Sequence, residues 1–166
     1  MGSYGQTLCR QFFECMLEAK AVEDFRPEWL DGLEIDIAFL DLDIAIEFQG
    51  DQHYVPVYGY SQLQSQRRND VFKKRVCEDR GIAFIRIDAI DLEWTRIRHK
   101  LKAAAKRARR RWFMSSRDRA TLRRLNAEAT RYRATLRDTY QSPTARRRGK
   151  TRKQQKREWR MSNGCA

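Results

Sequence analysis

The chain has 166 residues and a formal net charge of +13 at pH 7, a length that fits one domain, or one small domain with an appendage. The charge is unevenly distributed: residues 1–95 contain 10 Lys and Arg against 18 Asp and Glu, a net −8, whereas residues 96–166 contain 25 against 4, a net +21. This asymmetry predicts a folded module with a polyanion-binding extension, and nucleic acid is the expected polyanion.

Composition also argues against several classes of protein. The four cysteines show no CxxC spacing and only two histidines could assist them, which argues against a zinc site. The sequence contains no apolar run near the ~20 residues that span a bilayer and does not open on a signal peptide. We therefore expect a cytoplasmic protein with no membrane partner; a basic amphipathic helix lying on an anionic membrane is the less favoured alternative.

The first predicted helix covers residues 3–20, where a broad apolar stripe includes Leu8, Phe12 and Met16. Gln6, Glu14 and Glu18 are the polar groups on this helix that could reach a site, although water-facing glutamates are the simpler interpretation. Residues 22–32 contain proline and glycine, which predicts a connection or a short irregular strand.

Residues 33–54, LEIDIAFLDLDIAIEFQGDQHY, predict a β-hairpin, because apolar residues alternate with other residues on both sides of a polar turn. The apolar residues of both strands share one face of the sheet if the turn lies at residues 40–43 and the sequence numbers of paired residues add to 83. This register places Asp36 opposite Glu47. Opposed carboxylates call for a shared proton or a cation. With Gln49 they form an oxygen-rich set suited to Mg²⁺ or Mn²⁺. The alternative is the solvated face of an ordinary edge hairpin.

The next elements are a loop, a helix and a strand. The loop at residues 50–60 carries His53, a candidate base or phosphate contact. A basic helix is expected over residues 61–80, ended by Gly81, and the apolar run IAFIRI at residues 82–87 predicts a strand covered on both faces. Together these elements predict an α/β protein with a mixed sheet in the order α-β-β-α-β.

The rear of the chain predicts two basic helices and a tail. Apolar positions recur from Trp94 to Trp112, and Ser115 or Ser116 could cap a second helix. The heptad-like stripe of that helix, from Leu122 to Leu136, could dock on the core or on another copy, so a homodimer is open. We predict a core over 1–92, a basic helical extension over 93–140 and a flexible basic tail over 141–166.

Arginines in the second helix, the extension and the tail are the expected nucleic-acid contacts. They are Arg67, Arg68, Arg107, Arg109, Arg110, Arg111, Arg146, Arg147 and Arg148.

The order of motifs EIDIAF, AIEFQGDQHY and QSQRRNDVFKKRVCEDRGIAFIRI resembles small nucleases of the PD-(D/E)XK, or restriction-endonuclease-like, superfamily. It is most similar to the branch with phage-encoded and very-short-patch-repair-like endonucleases. There, a helix beginning small–Gly–Glu precedes an acidic hairpin, and a G-x-Q-H-Y loop, an R-D-x-x-K helix and an I-x-L-I-R-I strand follow. The likeness covers residues 3–87, about half of the chain.

The resemblance implies that Asp36 and Glu47 are the metal-binding acids. It places Gln49 where the superfamily most often has lysine, His53 in the histidine loop, and Asp70 and Lys73 on the following helix. Gln6 stands where relatives usually have glutamate, which bears on a second metal. Lys73 could supply the positive charge that Gln49 lacks. Gln6, Glu14 and Asp70 are the expected supporting residues around the acids.

The sequence therefore predicts a metal-dependent endonuclease that hydrolyses phosphodiester bonds in DNA, most simply duplex DNA, in a bacterial or phage-infected cell. A phage, mobile-element or repair setting fits equally. Two alternatives are open: a catalytically weakened nucleic-acid-binding protein on the same fold, favoured by Gln6 and Gln49, and an RNA-associated factor, favoured by the Arg-rich tail.

Overall fold

Helices and strands alternate along the chain in the computed structural model, which describes residues 3–50 and 60–141. Within these residues one four-stranded sheet is accompanied by four α-helices, so the predicted α/β class with a mixed sheet and a helical C-terminal part is confirmed. The helices are α1 (Tyr4–Leu17), α2 (Tyr60–Asp79), α3 (Trp94–Arg107) and α4 (Arg119–Gln141). The strands are β1 (Val22–Phe25), β2 (Ile35–Phe39), β3 (Ile44–Gln49) and β4 (Ala83–Asp88).

The sheet has the strand order β1-β2-β3-β4. Strand β2 pairs with β3 in antiparallel fashion, with Ile37 opposite Ile46 and Phe39 opposite Ile44, so the predicted hairpin register is confirmed. Strand β4 lies parallel to β3 on its other side. The two strands that bear the acidic residues therefore lie side by side, and β3 occupies the interior of the sheet.

Strand β1 was not part of the predicted α-β-β-α-β order. Residues 22–25 pair antiparallel with β2, so the observed order is α-β-β-β-α-β followed by two helices. A four-residue segment with two acidic residues and partly exposed side chains carries little strand propensity of its own. It becomes a strand because β2 offers an unpaired edge.

Both faces of the sheet are buried. On one face, α1 contacts β3 and α3, and α3 contacts β4. On the other face, Cys77 of α2 joins a buried apolar cluster with Ala38, Ala45 and Phe84. The small alanines on adjacent strands let helix α2 pack against this face, so the alternative of an ordinary solvated hairpin face is wrong.

Glycine ends helix α2, as predicted. Gly81 has φ +73°, a left-handed conformation that glycine adopts without a steric penalty. The N–H groups of Gly81 and Ile82 donate to the carbonyls of Glu78 and Cys77, at 3.0 and 2.9 Å, which satisfies the last turn of the helix.

The start of α4 differs from the prediction. Asp118 accepts a hydrogen bond from the Thr121 N–H at 2.9 Å, so an aspartate, and neither Ser115 nor Ser116, caps this helix. Ser115 is buried, and its N–H donates to the carbonyl of Met16 at 2.7 Å, which ties the α3–α4 connection to α1. Helix α3 ends at Arg107, so Trp112 lies outside it.

The structure divides into two compact units, one ending at Arg133 and the other beginning at Ala134. In the first unit, Leu122, Leu125 and Ala129 of α4 are buried, so this part of the heptad-like stripe packs within its own unit. Helix α3 and the residues of α4 up to Arg133 belong to the same unit as the sheet; the functional division at residues 92 and 140 stays a prediction. Of the second unit, the described residues form the last turns of α4.

No helix in the described part of the chain is long and apolar enough to cross a membrane. The predicted tail over 141–166 lies outside the described residues, apart from Gln141, which ends α4.

Candidate metal-binding site

A buried ion pair forms the centre of the site. Glu47, near the end of β3, and Lys73, in the middle of α2, are 5 % and 8 % exposed. The Lys73 Nζ donates a hydrogen bond to Oε1 of Glu47 and another, at 2.8 Å, to the carbonyl of Glu34. Lys73 thereby links α2 to β3 and to the residue that precedes β2, and its ammonium group contacts the acidic residue of β3.

Asp36 lies beside this pair on β2. Its Oδ2 accepts a hydrogen bond from the Phe48 N–H at 2.7 Å, which holds the carboxylate against β3 next to Glu47. The structure therefore brings the two predicted acids together. At this point between β2 and β3, the Phe48 N–H donates to the side chain of Asp36 and not to a backbone carbonyl.

Burial and mutual repulsion shape the electrostatics of the two acids. Burial first, and the negative charge of Asp36 second, raise the pKa of Glu47 from 4.5 to about 8, against the opposing influence of Lys73. Burial raises the pKa of Asp36 from 3.8 to about 6, partly offset by the Phe48 N–H and by Lys73. Carboxylates whose pKa values are shifted strongly by burial and by a specific neighbouring charge are often found at functional sites.

Gln49 extends the site along β3. It is 4 % exposed, and its Nε2 donates to Oδ2 of Asp70 on α2 at 3.1 Å. This contact orients the amide and leaves its Oε1 as an acceptor. Asp70 and Lys73 lie three residues apart on one face of the helix, so one turn of α2 contacts both Gln49 and Glu47.

Gln6 supports Asp36 from α1. Its Nε2 donates to the backbone carbonyl of Asp36 and to Oδ1 of Asp24 on β1, both at 3.2 Å. Sequence reasoning missed Asp24, whose negative charge also raises the pKa of Asp36. No sequence pattern reveals Asp24, because its position depends on the pairing of β1 with β2 and on a left-handed φ of +52°, which aspartate tolerates better than most residues.

Glu14 has a local role. Its Oε1 accepts from the Ala21 N–H at 3.1 Å and its Oε2 accepts from Arg10 Nη1 at 2.6 Å. Both oxygens therefore stabilise the end of α1 and its exit toward β1, and the described contacts do not join Glu14 to Asp36 or Glu47.

The acids fit a hard divalent cation. Oε2 of Glu47 is buried and has no hydrogen-bond partner among the described residues, and the hydrogen bond to the Asp36 carboxylate uses Oδ2. An orphaned carboxylate oxygen in the interior is costly unless a cation or water satisfies it. The described residues contain no cluster of three or more His, Cys, Asp or Glu that could hold a metal. Mg²⁺ usually keeps several water ligands and needs only one or two carboxylates from the protein.

The predicted nucleic-acid contacts occupy two regions. Arg68 is exposed on α2, two residues before Asp70. Arg107, Arg109, Arg110 and Arg111 are exposed around the end of α3. Arg110 pairs with Asp43 at the hairpin turn, at 2.7 Å.

The hairpin turn is at the far end of β3 from the acids. Asp43 precedes Glu47 by four residues, about 13 Å along an extended strand. Arg110, which pairs with Asp43 at this turn, therefore lies at the end of β3 away from Glu47.

Three predicted contacts or groups remain outside what the structure describes. His53 and the arginines at 146–148 fall outside the described residues, and Arg67 is described only by its backbone in α2.

Comparison of the chain with protein-family models, curated proteins and solved structures found no match.

Proposed function

We propose that the protein is a Mg²⁺- or Mn²⁺-dependent DNA endonuclease with a restriction-endonuclease-like core. The observation that carries the proposal is the buried group of Asp36, Glu47 and Lys73, in which one Glu47 oxygen lacks a partner. Two acids on adjacent strands, one of which is hydrogen-bonded to a lysine, are residue types that suit metal-assisted phosphodiester hydrolysis. The resemblance of residues 3–87 to PD-(D/E)XK nucleases supports the same assignment.

Asp36 and Glu47 would hold the metal, which when bound polarises a phosphate oxygen and lowers the pKa of a coordinated water. Both acids must lose their protons first, and Lys73 favours this for Glu47 by stabilising its charged form. Gln49, oriented by Asp70, accepts a hydrogen bond from the attacking water through Oε1. Lys73 keeps a positive charge beside the phosphate as negative charge develops on it.

The basic residues supply affinity for DNA without reading its sequence. Lys and Arg that contact phosphates fix the position of a duplex, and affinity falls steeply with salt. The acidic charge near the site makes these basic regions necessary, because a phosphate would otherwise be repelled from Asp36 and Glu47.

The proposal is tested with supercoiled plasmid incubated with and without Mg²⁺ or Mn²⁺. We expect nicking or linearisation that needs the cation and is lost in Asp36→Asn and in Glu47→Gln. Asp41→Asn is the matched control, because it removes the same charge from an exposed position in the hairpin turn. Cleavage that persists in both site variants, or that is absent from the wild type, would falsify the assignment as an enzyme.

The second candidate is a nucleic-acid-binding protein on a weakened nuclease core. The specific observation in its favour is that two neutral glutamines, Gln49 and Gln6, lie at the ends of the site. Among the described hydrogen-bond partners of the two acids, Lys73 is the only positively charged group. This candidate predicts salt-sensitive DNA binding that survives Asp36→Asn and does not respond to Mg²⁺. Competition between DNA and RNA of matched length separates a DNA-binding from an RNA-binding protein, and sedimentation at several concentrations tests for a homodimer.

A further inference from the structure

A polar groove lies between α3 and α4, outside the candidate metal site. It has a volume of about 400 Å³, within the range of roughly 300–1,000 Å³ that is typical of ligand sites. Trp94 and Arg98 line it from α3, Arg119 and Arg123 line it from α4, and Leu122 and Asn126 form part of its wall.

The groove carries a concentrated positive charge. Its lining contains three arginines and no acidic residue. Among the described residues, Arg98, Arg119 and Arg123 form no ion pair. By contrast, Arg96, Arg124 and Arg133 on the same helices bind Asp91, Glu128 and Glu93 respectively.

Two acidic residues directly precede α3 and α4, and both have partners outside the groove. Asp118 caps the start of α4 by accepting the Thr121 N–H, and Glu93 pairs with Arg96 and Arg133. The guanidinium groups in the groove are therefore available to an anion.

The groove also contains an aromatic surface. Trp94 is half-buried, and the guanidinium of Arg98 lies 5.7 Å from the centre of its ring. The backbone N–H of Trp94 donates a hydrogen bond to Oδ1 of Asn126 at 3.2 Å, which fixes α3 against α4 at this point. Arginine beside an exposed part of an indole ring provides a surface for both a phosphate and a base.

From these features we infer that the α3–α4 groove binds the phosphodiester backbone of DNA, with Arg119, Arg123 and Arg98 on the phosphates and Trp94 against a base or sugar. This goes beyond the proposed nuclease activity, since it holds whether or not the protein cleaves DNA. It also differs from the sequence-based assignment, which placed the contacts of this region at residues 107–111.

Fluorescence anisotropy of a labelled duplex, measured in EDTA so that binding is separated from cleavage, tests the inference. The variant Arg119→Gln/Arg123→Gln removes two exposed charges from the groove. The control Arg124→Gln/Arg131→Gln removes two exposed charges from elsewhere on α4. Circular dichroism verifies that both variants fold.

For the groove variant we expect a dissociation constant about tenfold higher or more, and a slope of log K against log salt about two units shallower. We expect less than a threefold change for the control, because charges outside the contact act only through the screened field of the protein. Equal losses in the two variants, or no loss in the groove variant, would overturn the inference.

Tryptophan fluorescence gives an independent readout. Bases stacked on an indole quench its emission, so DNA should quench the wild type, and Trp94→Phe should lose most of that quenching at a DNA concentration that saturates the variant. Undiminished quenching in Trp94→Phe would contradict a contact at the groove. If the wild type binds DNA through the groove but does not cleave plasmid, the proposed nuclease activity is refuted and the inference about the groove stands.

Discussion

Lys73 donates a hydrogen bond to Glu47, although the two residues are 26 positions apart in the chain. The contact brings the middle of α2 onto the interior strand β3, and both side chains are almost completely buried. A lysine from the helix therefore lies beside the acid of the interior strand.

Replacement of Lys73 by methionine should destabilise the protein and abolish cleavage. Breaking one side of a buried ion pair leaves the other charge uncompensated, at a cost of about 3–5 kcal/mol. The pKa of Glu47 should rise further, since Lys73 lowers it, so the loss of stability should be greater at pH 8 than at pH 6. Urea denaturation at the two pH values measures this difference.

Lys74→Met is the matched control on the same helix. Lys74 is exposed, and its Nζ lies 3.9 Å from Oε1 of Glu78. An exposed ion pair of this kind stabilises a helix by no more than about 0.5 kcal/mol. If Lys73→Met costs no more stability than Lys74→Met, the ion pair does not stabilise the fold and the positive charge is not needed there.

The unfolding free energy of the metal-free protein should fall as pH rises. The folded-state pKa values of Asp36 and Glu47 are raised to about 6 and about 8. The folded protein therefore holds these protons more tightly than the unfolded chain. Their contribution is fully present below the unfolded pKa values, about 4, and is lost as pH rises through about 6 and about 8.

Asp36→Asn/Glu47→Gln isolates this contribution. Urea denaturation in EDTA between pH 5 and pH 8.5 should show that stability falls more steeply in the wild type than in the double variant. Parallel curves would mean that the folded state does not raise these pKa values.

The hairpin and its two acids could be predicted because strand alternation and the requirement for one shared apolar face fix the register locally. The ion pair could not, because it depends on how α2 packs over the alanine-lined face of the sheet. Likewise, Asp24 reaches the site only through the edge pairing of β1 with β2. The α3–α4 groove depends on the packing of two helices that the sequence showed only as basic and amphipathic.

Gly5→Ala should destabilise the protein by about 1–3 kcal/mol through overpacking. A Cβ at Gly5 would lie 2.5 Å from Cζ of the buried Phe48 ring and 2.7 Å from Oη of Tyr132, so α1, β3 and α4 would have to separate. This loss should exceed the gain of up to about 1 kcal/mol that alanine gives a helix. Because Gln6 follows directly, cleavage should fall as its contact with Asp36 is disturbed.

Thermal unfolding compares Gly5→Ala with Gly32→Ala, a position with φ +77° and open space around it. The second substitution strains a turn by about 1 kcal/mol without touching α1. It should leave cleavage unchanged at a temperature where both variants are folded. Equal activity in the two variants would show that the close approach of α1 does not position Gln6.

Mg²⁺ should raise the melting temperature of the wild type and should have little effect on Asp36→Asn/Glu47→Gln. A ligand that binds only the folded state adds about 2.7 kcal/mol at one hundred times its dissociation constant, which is a shift of several degrees for a domain of this size. The shift should grow from pH 6 to pH 8, because the cation competes with the protons that burial holds on Asp36 and Glu47. Asp41→Asn, with the same charge change at an exposed site, should respond like the wild type. An equal shift in the wild type and in the double variant would place the cation elsewhere on the protein, and no shift in the wild type would favour the binding protein over the nuclease.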